Sequence, residues 1–385
     1  MDEYMDDVID SRPLSPHAAP LVTASQLRAS LLASPSALAL VRSTREAITR
    51  IVRREDTRIT LIVGPCSIHD ARAALEYAKR LAPLRDAYRD ALEIVMRVYF
   101  EKPRTTLGWK GWINDPRLDG SYRIDEGLHG ARQLLLDIHA LGVPAATEFL
   151  DLMTVRYFDD LISWAAIGAR TTESPMHRQA ASGLELPIGF KNGTDGNVRV
   201  AIDALAAARA SHRYLALSLD GRVEAASSEG NPSAHVVLRG GRKPNYDGAS
   251  IDAVCAELER AGMKPAVIVD ASHGNSGKLA RAQADVCRDL ARQIAGGETR
   301  IAGVMIESHL THGRQEVIPG VPLAYGQSIT DECLGWNDTA QLIELLADAV
   351  RARRAAAADR YASAPAHPGL FHRPTTRGES IGRTH

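Results

Sequence analysis

Short apolar runs rich in Val and Ile recur along the chain, at 59–63 (ITLIV), 94–99, 143–147, 164–169, 186–190, 235–238, 266–270 and 301–306. Stretches with apolar positions at helical spacing separate most of them, at 71–87, 126–141, 197–209, 250–262, 279–295 and 338–354. A strand buried on both faces reads as a continuous apolar run, and amphipathic helices supply its cover. About eight such units over roughly 250 residues predict an α/β fold, a closed (β/α)8 TIM barrel. An open doubly wound sheet would need a GxGxxG turn after its first strand, and there is none. The segment 213–224 breaks the alternation. Asp220-Gly221 between two short runs predicts a small inserted hairpin there.

The flanks differ from this pattern. Residues 1–25 hold prolines and polar residues and read as an arm. Residues 25–54 predict a helix, with Leu27, Leu31, Leu38, Val41 and Ile48 on a turn-like spacing. From Ala355 the chain is rich in Ala, Arg, Pro, His and Gly without apolar periodicity, which predicts a disordered tail. The expected division is therefore an arm and helix over 1–55, a barrel over 56–354 and a tail over 355–385.

Composition narrows the function. Of 385 residues 45% are hydrophobic, enough for a sizeable core. The formal net charge is -1, from 46 basic and 47 acidic residues, so nothing draws the chain generally to nucleic acid or an anionic membrane. Any anion site must be local. Cys66, Cys255, Cys287 and Cys333 show no CxxC pairing, which excludes a disulfide scaffold or zinc finger. No apolar run reaches the length of a membrane span, and the acidic start lacks a signal-peptide pattern, so the expectation is a cytoplasmic protein.

The polar residues that end each apolar run carry the chemistry. The first run ends in Gly64-Pro65-Cys66-Ser67; later ones end near Arg97, Glu148, Arg170, Lys191, Arg239, Asp270 with His273, and Glu307. A barrel places all of these on the one face where active sites lie. Strand ends meet solvent in any case, so a single charge there only marks a boundary. Arg97, Arg170, Lys191 and Arg239 around one mouth would repel each other without a bound anion, which points to a small, multiply charged ligand. Cys66, His273, Glu307 and Asp331 form a second set of one thiolate, one imidazole and two carboxylates. That mixture suits a borderline first-row divalent ion better than Mg²⁺ or Ca²⁺. The glycine-rich stretches GFKNGTDG (189–196), LRGG (238–241) and IGARTTES (167–174) allow backbone N–H groups to approach a phosphate, or serve as ordinary turns. No GxxxxGK[ST] motif is present, which disfavours a nucleotide.

Longer motifs resemble a known family. GPCSIHD (64–70), MRVYFEKPRTTLGWKG (96–111), IGARTTES, GFKNGTDG, LRGG with KPNY (238–246), DASHGNSGK (270–278), IESH (306–309) and YGQSITDECLGW (325–336) resemble class I 3-deoxy-D-arabino-heptulosonate-7-phosphate (DAHP) synthases. The resemblance runs from about 45 to 354 and lies nearest the tryptophan-sensitive members at 119–124 (DGSYRI), 207–213 and ECLGW. It implies a metal-dependent, aldol-like condensation of phosphoenolpyruvate with erythrose 4-phosphate, the first step of the shikimate route to chorismate and the aromatic amino acids. By this resemblance Cys66, His273, Glu307 and Asp331 hold one divalent ion (Mn²⁺, Fe²⁺, Co²⁺ or Zn²⁺). Arg97, Lys102, Arg170, Lys191 and Arg239 bind phosphoenolpyruvate, and Arg104 and Thr105, with Asp331, meet erythrose 4-phosphate. Lys102, Glu148 and His273 are the implied catalytic residues, Lys102 as the acid for the developing alkoxide and Glu148 as the orienter of water.

The resemblance also implies a homodimer or tetramer, with the N-terminal arm reaching a neighbour, and an aromatic amino acid as feedback inhibitor. The inhibitor pocket would lie between the arm and the loops at 150–156, 184–186 and 214–219. Phe- and Tyr-sensitive members carry a proline at the place of Val155 and a serine at that of Glu185. Glu185 would present a carboxylate that repels an amino acid's own. Three other readings compete: the related synthase that uses arabinose 5-phosphate, a DAHP synthase dedicated to secondary metabolism, and a non-catalytic effector-binding subunit. KPRTT, the long arm and YGQSITD favour the heptulosonate enzyme, and the complete ligand and cation sets argue against an inactive subunit.

Overall fold

The computed structural model describes residues 19–104 and 106–362. Eight parallel strands close a barrel: β1 (Ile59–Gly64), β2 (Leu92–Arg97), β3 (Ala145–Glu148), β4 (Ile162–Ile167), β5 (Ile188–Lys191), β8 (His235–Leu238), β9 (Val267–Asp270) and β10 (Ile301–Glu307). The ring closes in the order β1-β10-β9-β8-β5-β4-β3-β2, with β1 paired to both β10 and β2. Helices α3 (Ala71–Ala87), α4 (Ile124–Ala140), α6 (Pro175–Gly183), α7 (Arg199–Arg209), α8 (Gly248–Arg260) and α9 (Ala280–Ala295) fill the connections between strands. The β3–β4 connection carries a short helix, α5 (Val155–Phe158). The alternation of apolar runs therefore reports the barrel correctly, with boundaries displaced by no more than two residues.

Two cores follow from the pleat of the strands. Leu61, Val63, Ile94 and Met96 face the surrounding helices, whereas Ile62, Val95, Ala146, Trp164, Val237, Ile268 and Met305 pack together inside the ring. Ile48 and Val52 join this inner cluster from helix α2 (Pro35–Val52). The helix covers the N-terminal end of the barrel: Arg45 donates to the Ile162 carbonyl, Thr49 meets Ser233 at 3.0 Å and Arg54 meets Thr299 at 2.7 Å. One mouth is thus sealed, and the other is left for chemistry.

The single helix expected over 25–54 is two, α1 (Ala24–Ser30) and α2. The break is written at Ser34-Pro35, where the serine hydroxyl caps α2 by accepting from the Ala37 amide and the proline takes the first turn. The inserted hairpin is present as β6 (His212–Leu217) and β7 (Val223–Ser228). The tail expected to be disordered from Ala355 is helical as far as Ala362, in α10 (Trp336–Ala362). The run Ala355–Ala358 is a strong helix former, and Arg351, Arg353 and Arg354 tie the preceding turn to Asp90, Thr57 and Glu298. Residues 363–385, and residues 1–18 of the arm, lie outside the described residues.

The segment entering α1 is held from three sides. Val22 donates to Asp125, its carbonyl accepts from Tyr157, and Ser25 meets Leu219 and Asp220 in the hairpin turn. No helix among the described residues is long and apolar enough to cross a membrane.

Candidate active site

Five barrel strands end on a charged residue: Arg97, Glu148, Lys191, Asp270 and Glu307. Arg239 follows β8 directly, and Arg170 sits three residues past β4 on an exposed loop. A parallel barrel delivers all these ends to one mouth, where all of them but Asp270 line a cleft together with Cys66, Lys102, Arg104, His273 and Asp331. The chain enters this face at Gly64, whose φ of +151° suits glycine and where a Cβ would crowd the Arg97 backbone at 3.0 Å. Asp270, which bears on this site, stands just behind the lining.

The donor atoms of Cys66, Glu307 and Asp331 lie within 4.8 Å of one another. A first-row ion held at about 2.0–2.3 Å from each needs donors roughly 3–4 Å apart, so small side-chain shifts would seat one. Sulfur with carboxylate oxygen is a donor set for a borderline ion, and these residues fit one. His273 stands at the edge of the trio, with Nε2 3.9 Å from Glu307 Oε1. Its φ of +55° is unusual for a residue with a side chain. Asp270 Oδ2 lies 2.9 Å from His273 Nδ1 and 3.3 Å from Lys191 Nζ, and the Ser272 hydroxyl lies 2.7 Å from the same His273 nitrogen. Burial alone would raise the Asp270 pKa, but His273 and Lys191 hold it well below the usual carboxylate range. Burial pushes the Cys66 thiol up, as do Glu307 and Asp331, while Lys102, 3.0 Å from the sulfur, pulls it down.

The cations do not simply repel each other, as the strand-end pattern alone suggests. Arg97 pairs with Glu307 at 3.1 Å, and Lys191 lies 3.8 Å from Glu148. Arg170 and Arg239 differ from these. Neither has a carboxylate within ion-pair distance among the described residues, and after burial the Arg239 guanidinium is next disturbed by Asp270 and by the charge of Arg170. Arg104 donates to the Trp109 carbonyl on the exposed loop after Lys102. Thr105 lies outside the described residues.

The glycine-rich loops have a reason besides phosphate contact. A Cβ on Gly241 would fall 2.2 Å from the Gly196 amide nitrogen, and one on Gly274 2.5 Å from that of Gly241. Three strand-end loops thus pack backbone on backbone around the mouth. Sequence reasoning left Tyr99, Asp270 and Lys278 without a role. Asp270 stood at a strand end, a usable signal. Lys278, 3.3 Å from Asp331, and Tyr99, under the cations, had none.

This arrangement defines a barrel enzyme whose open mouth gathers cations beside a Cys66, Glu307 and Asp331 cluster that could hold a metal ion. Residues 36–344 match the DAHP synthetase I family, and the chain belongs to that family. It is 54% identical over 325 residues to a phospho-2-dehydro-3-deoxyheptonate aldolase of Haemophilus influenzae, covering 84% of this chain and 90% of that protein. It is also 54% identical over 333 residues to a Trp-sensitive enzyme of that name from Escherichia coli O157:H7, covering 86% and 96%. A Phe-sensitive one from Escherichia coli strain K12 is 54% identical over 322 residues, covering 84% and 92%. The solved structure of the Francisella tularensis aldolase superposes with a TM-score of 0.86 at 45% identity, covering 88% of this chain and 99% of that one.

Proposed function

We propose that this chain is a DAHP synthase, condensing phosphoenolpyruvate with erythrose 4-phosphate and water to give DAHP and phosphate. The observation that carries the reading is the pair Arg170 and Arg239, cations without carboxylate partners among the described residues, beside buried Arg97 and Lys191. Phosphoenolpyruvate, with a phosphate and a carboxylate, meets that need.

Cys66, His273, Glu307 and Asp331 would hold one divalent ion, Mn²⁺, Fe²⁺, Co²⁺ or Zn²⁺. When bound, it supplies Lewis-acid polarisation of the aldehyde. Arg97, Lys102, Arg170, Lys191 and Arg239 bind and orient phosphoenolpyruvate, whose C3 forms the new bond to the aldehyde carbon. Lys102 gives a proton to the former aldehyde oxygen. Glu148 orients the water that adds to C2; the hydroxyl so formed gives its proton to the departing phosphate as the C2–O bond to phosphate breaks and the C2 ketone forms. Arg104 and Thr105, with Asp331, receive the sugar phosphate.

The arm and α1 serve regulation and assembly into a dimer or tetramer, with an aromatic amino acid as inhibitor. The hold of Val22 on Tyr157, and of Ser25 in α1 on the hairpin turn at Leu219 and Asp220, supports this reading. Glu185, exposed near that surface, sets inhibitor choice, which separate titrations with Phe, Tyr and Trp resolve. The enzyme acts in the cytoplasm.

Phosphate release from phosphoenolpyruvate tests the reaction. Release is expected with erythrose 4-phosphate, not with arabinose 5-phosphate; a chelator abolishes it and Mn²⁺ restores it. Full activity after metal removal, or a preference for arabinose 5-phosphate, overturns the reading.

A further inference from the structure

Tyr99 lies two residues past the end of β2 and lines the cleft, yet its side chain is almost wholly enclosed, at 2% exposure. Three cations surround its ring: the Arg97 guanidinium is 4.0 Å from the centroid, Lys102 Nζ 5.7 Å and Lys191 Nζ 6.0 Å. An aromatic face favours such company, because its quadrupole attracts cations that would otherwise only repel one another. A phenylalanine would do this equally well.

The hydroxyl therefore needs its own explanation. It is buried and has no hydrogen-bond partner among the described residues. A buried polar group without a partner is rare and costly, and it is retained where something outside the protein chain satisfies it. Several other buried side chains share this condition, among them Thr44, Thr60, Trp112 and Ser163. Tyr99 is the one of the unpaired groups whose residue lines the cleft. Burial foremost, opposed by Arg97 and reinforced by Glu148 and Asp270, pushes the phenol above its ordinary pKa, so it keeps its proton and can donate.

We propose that Tyr99 is a substrate-contact residue, whose hydroxyl donates a hydrogen bond to an anionic oxygen of phosphoenolpyruvate in the space bounded by Arg97, Lys102 and Lys191. This rests on the reaction proposed above. It assigns the cations two jobs for one ring, which groups them on its face and completes the binding site with its edge.

The test is Tyr99→Phe, which keeps the ring and removes one oxygen. Phosphoenolpyruvate binding is measured by calorimetry, alongside KM for both substrates and the melting temperature of the unliganded protein. A lost hydrogen bond to a charged oxygen should weaken phosphoenolpyruvate binding about 10–100-fold. KM for erythrose 4-phosphate should stay within about twofold, since only one substrate loses a contact. The unliganded variant should melt at the same temperature or higher, because it no longer buries an unpaired hydroxyl. Unchanged phosphoenolpyruvate binding overturns the proposal, as does a lowered melting temperature with equal losses for both substrates, which marks a structural role. If the wild-type enzyme itself does not bind phosphoenolpyruvate, the proposed reaction fails; if it binds and the variant binds equally, only the role of Tyr99 fails.

Discussion

The Arg97 guanidinium and the Glu307 carboxylate meet at 3.1 Å with almost no exposure on either side. Arg97 also donates to the Pro65 carbonyl and stacks on Tyr99. Both partners of this pair are candidate ligand-binding groups, so the pair holds the substrate side and the metal side of the cleft in one register. Removing one partner of a buried pair leaves the other charge uncompensated. Arg97→Met should cost about 3–5 kcal/mol of stability in the metal-free protein, read by urea unfolding. A loss under about 1 kcal/mol, the range of exposed pairs, would show that Glu307 finds another partner.

Lys102 stands 3.0 Å from Cys66 and reaches the cleft from the loop after β2. If it is the acid for the alkoxide, Lys102→Met should lower kcat by about 10²–10⁴-fold, the ordinary worth of a placed proton donor. Near-normal turnover in steady-state assays would remove Lys102 from that role.

How much of this was legible in the chain depends on whether a signal was local or spatial. The barrel was legible because every strand is buried on both faces and reads as an uninterrupted apolar run. Arg97, Glu148, Lys191 and Glu307 were legible because each interrupts such a run at its C-terminal end. The break at Ser34-Pro35 carried a local signal that the apolar spacing on either side hid. The helical extension to Ala362 was obscured because an alanine-rich stretch has no apolar period, although alanine favours helix strongly. Asp270 stood at a strand end, but what lies beside it and beside Tyr99 required the fold itself. Lys191, from β5, reaches both, and no spacing along the chain encodes that. The packing of Gly196, Gly241 and Gly274 against one another is legible only once three loops meet.

Asp270 lies against His273 Nδ1 and Lys191 Nζ and accepts from the Ser272 amide and hydroxyl. Its work on His273 is orientation, keeping Nε2 turned toward Glu307. Asp270→Asn keeps the shape but loses the charge, so metal affinity should fall about 10–100-fold, as for other groups that orient ligands. Titration of the purified protein with Mn²⁺ measures this directly. Unchanged affinity would mean that the Ser272 hydroxyl, 2.7 Å from His273 Nδ1, and the backbone set the ring without Asp270.

Glu101, beside Lys102, accepts from Thr154, the residue immediately before α5. Burial, with help from Asp151 and Glu148, pushes its pKa up to about 8 from 4.5. The folded state therefore holds a proton that the unfolded chain has lost. Stability is fully present below pH 4.5 and falls as pH rises towards 8. Glu101→Gln copies the neutral acid, so it should match the wild type near pH 4 and exceed it by roughly 3–5 kcal/mol at pH 8. Urea melts at both values decide, and equal stability at pH 8 would mean that Glu101 is ionised in the fold.

His235 gives the opposite slope. It lies fully buried at the start of β8, where the Trp164 indole donates to its Nε2 at 3.0 Å and its Nδ1 lies 2.9 Å from the Ser233 carbonyl. An indole nitrogen can only donate, so Nε2 must be bare and the proton must sit on Nδ1. A second proton would set two donors head to head inside the barrel. Burial accordingly pushes the pKa down to about 4 from 6.5. Between those values the unfolded chain takes up a proton that the folded one refuses, so this contribution is complete above pH 6.5 and lost as pH falls to 4. The loss should amount to about 3 kcal/mol. His309, pushed down to about 3 chiefly by burial, acts in the same direction, so the readout is the difference between proteins and not the total slope. His235→Gln can still accept from Trp164 and cannot titrate. Its stability should fall less steeply between pH 6.5 and 4 than the wild type's, and parallel curves would mean that His235 is charged within the barrel.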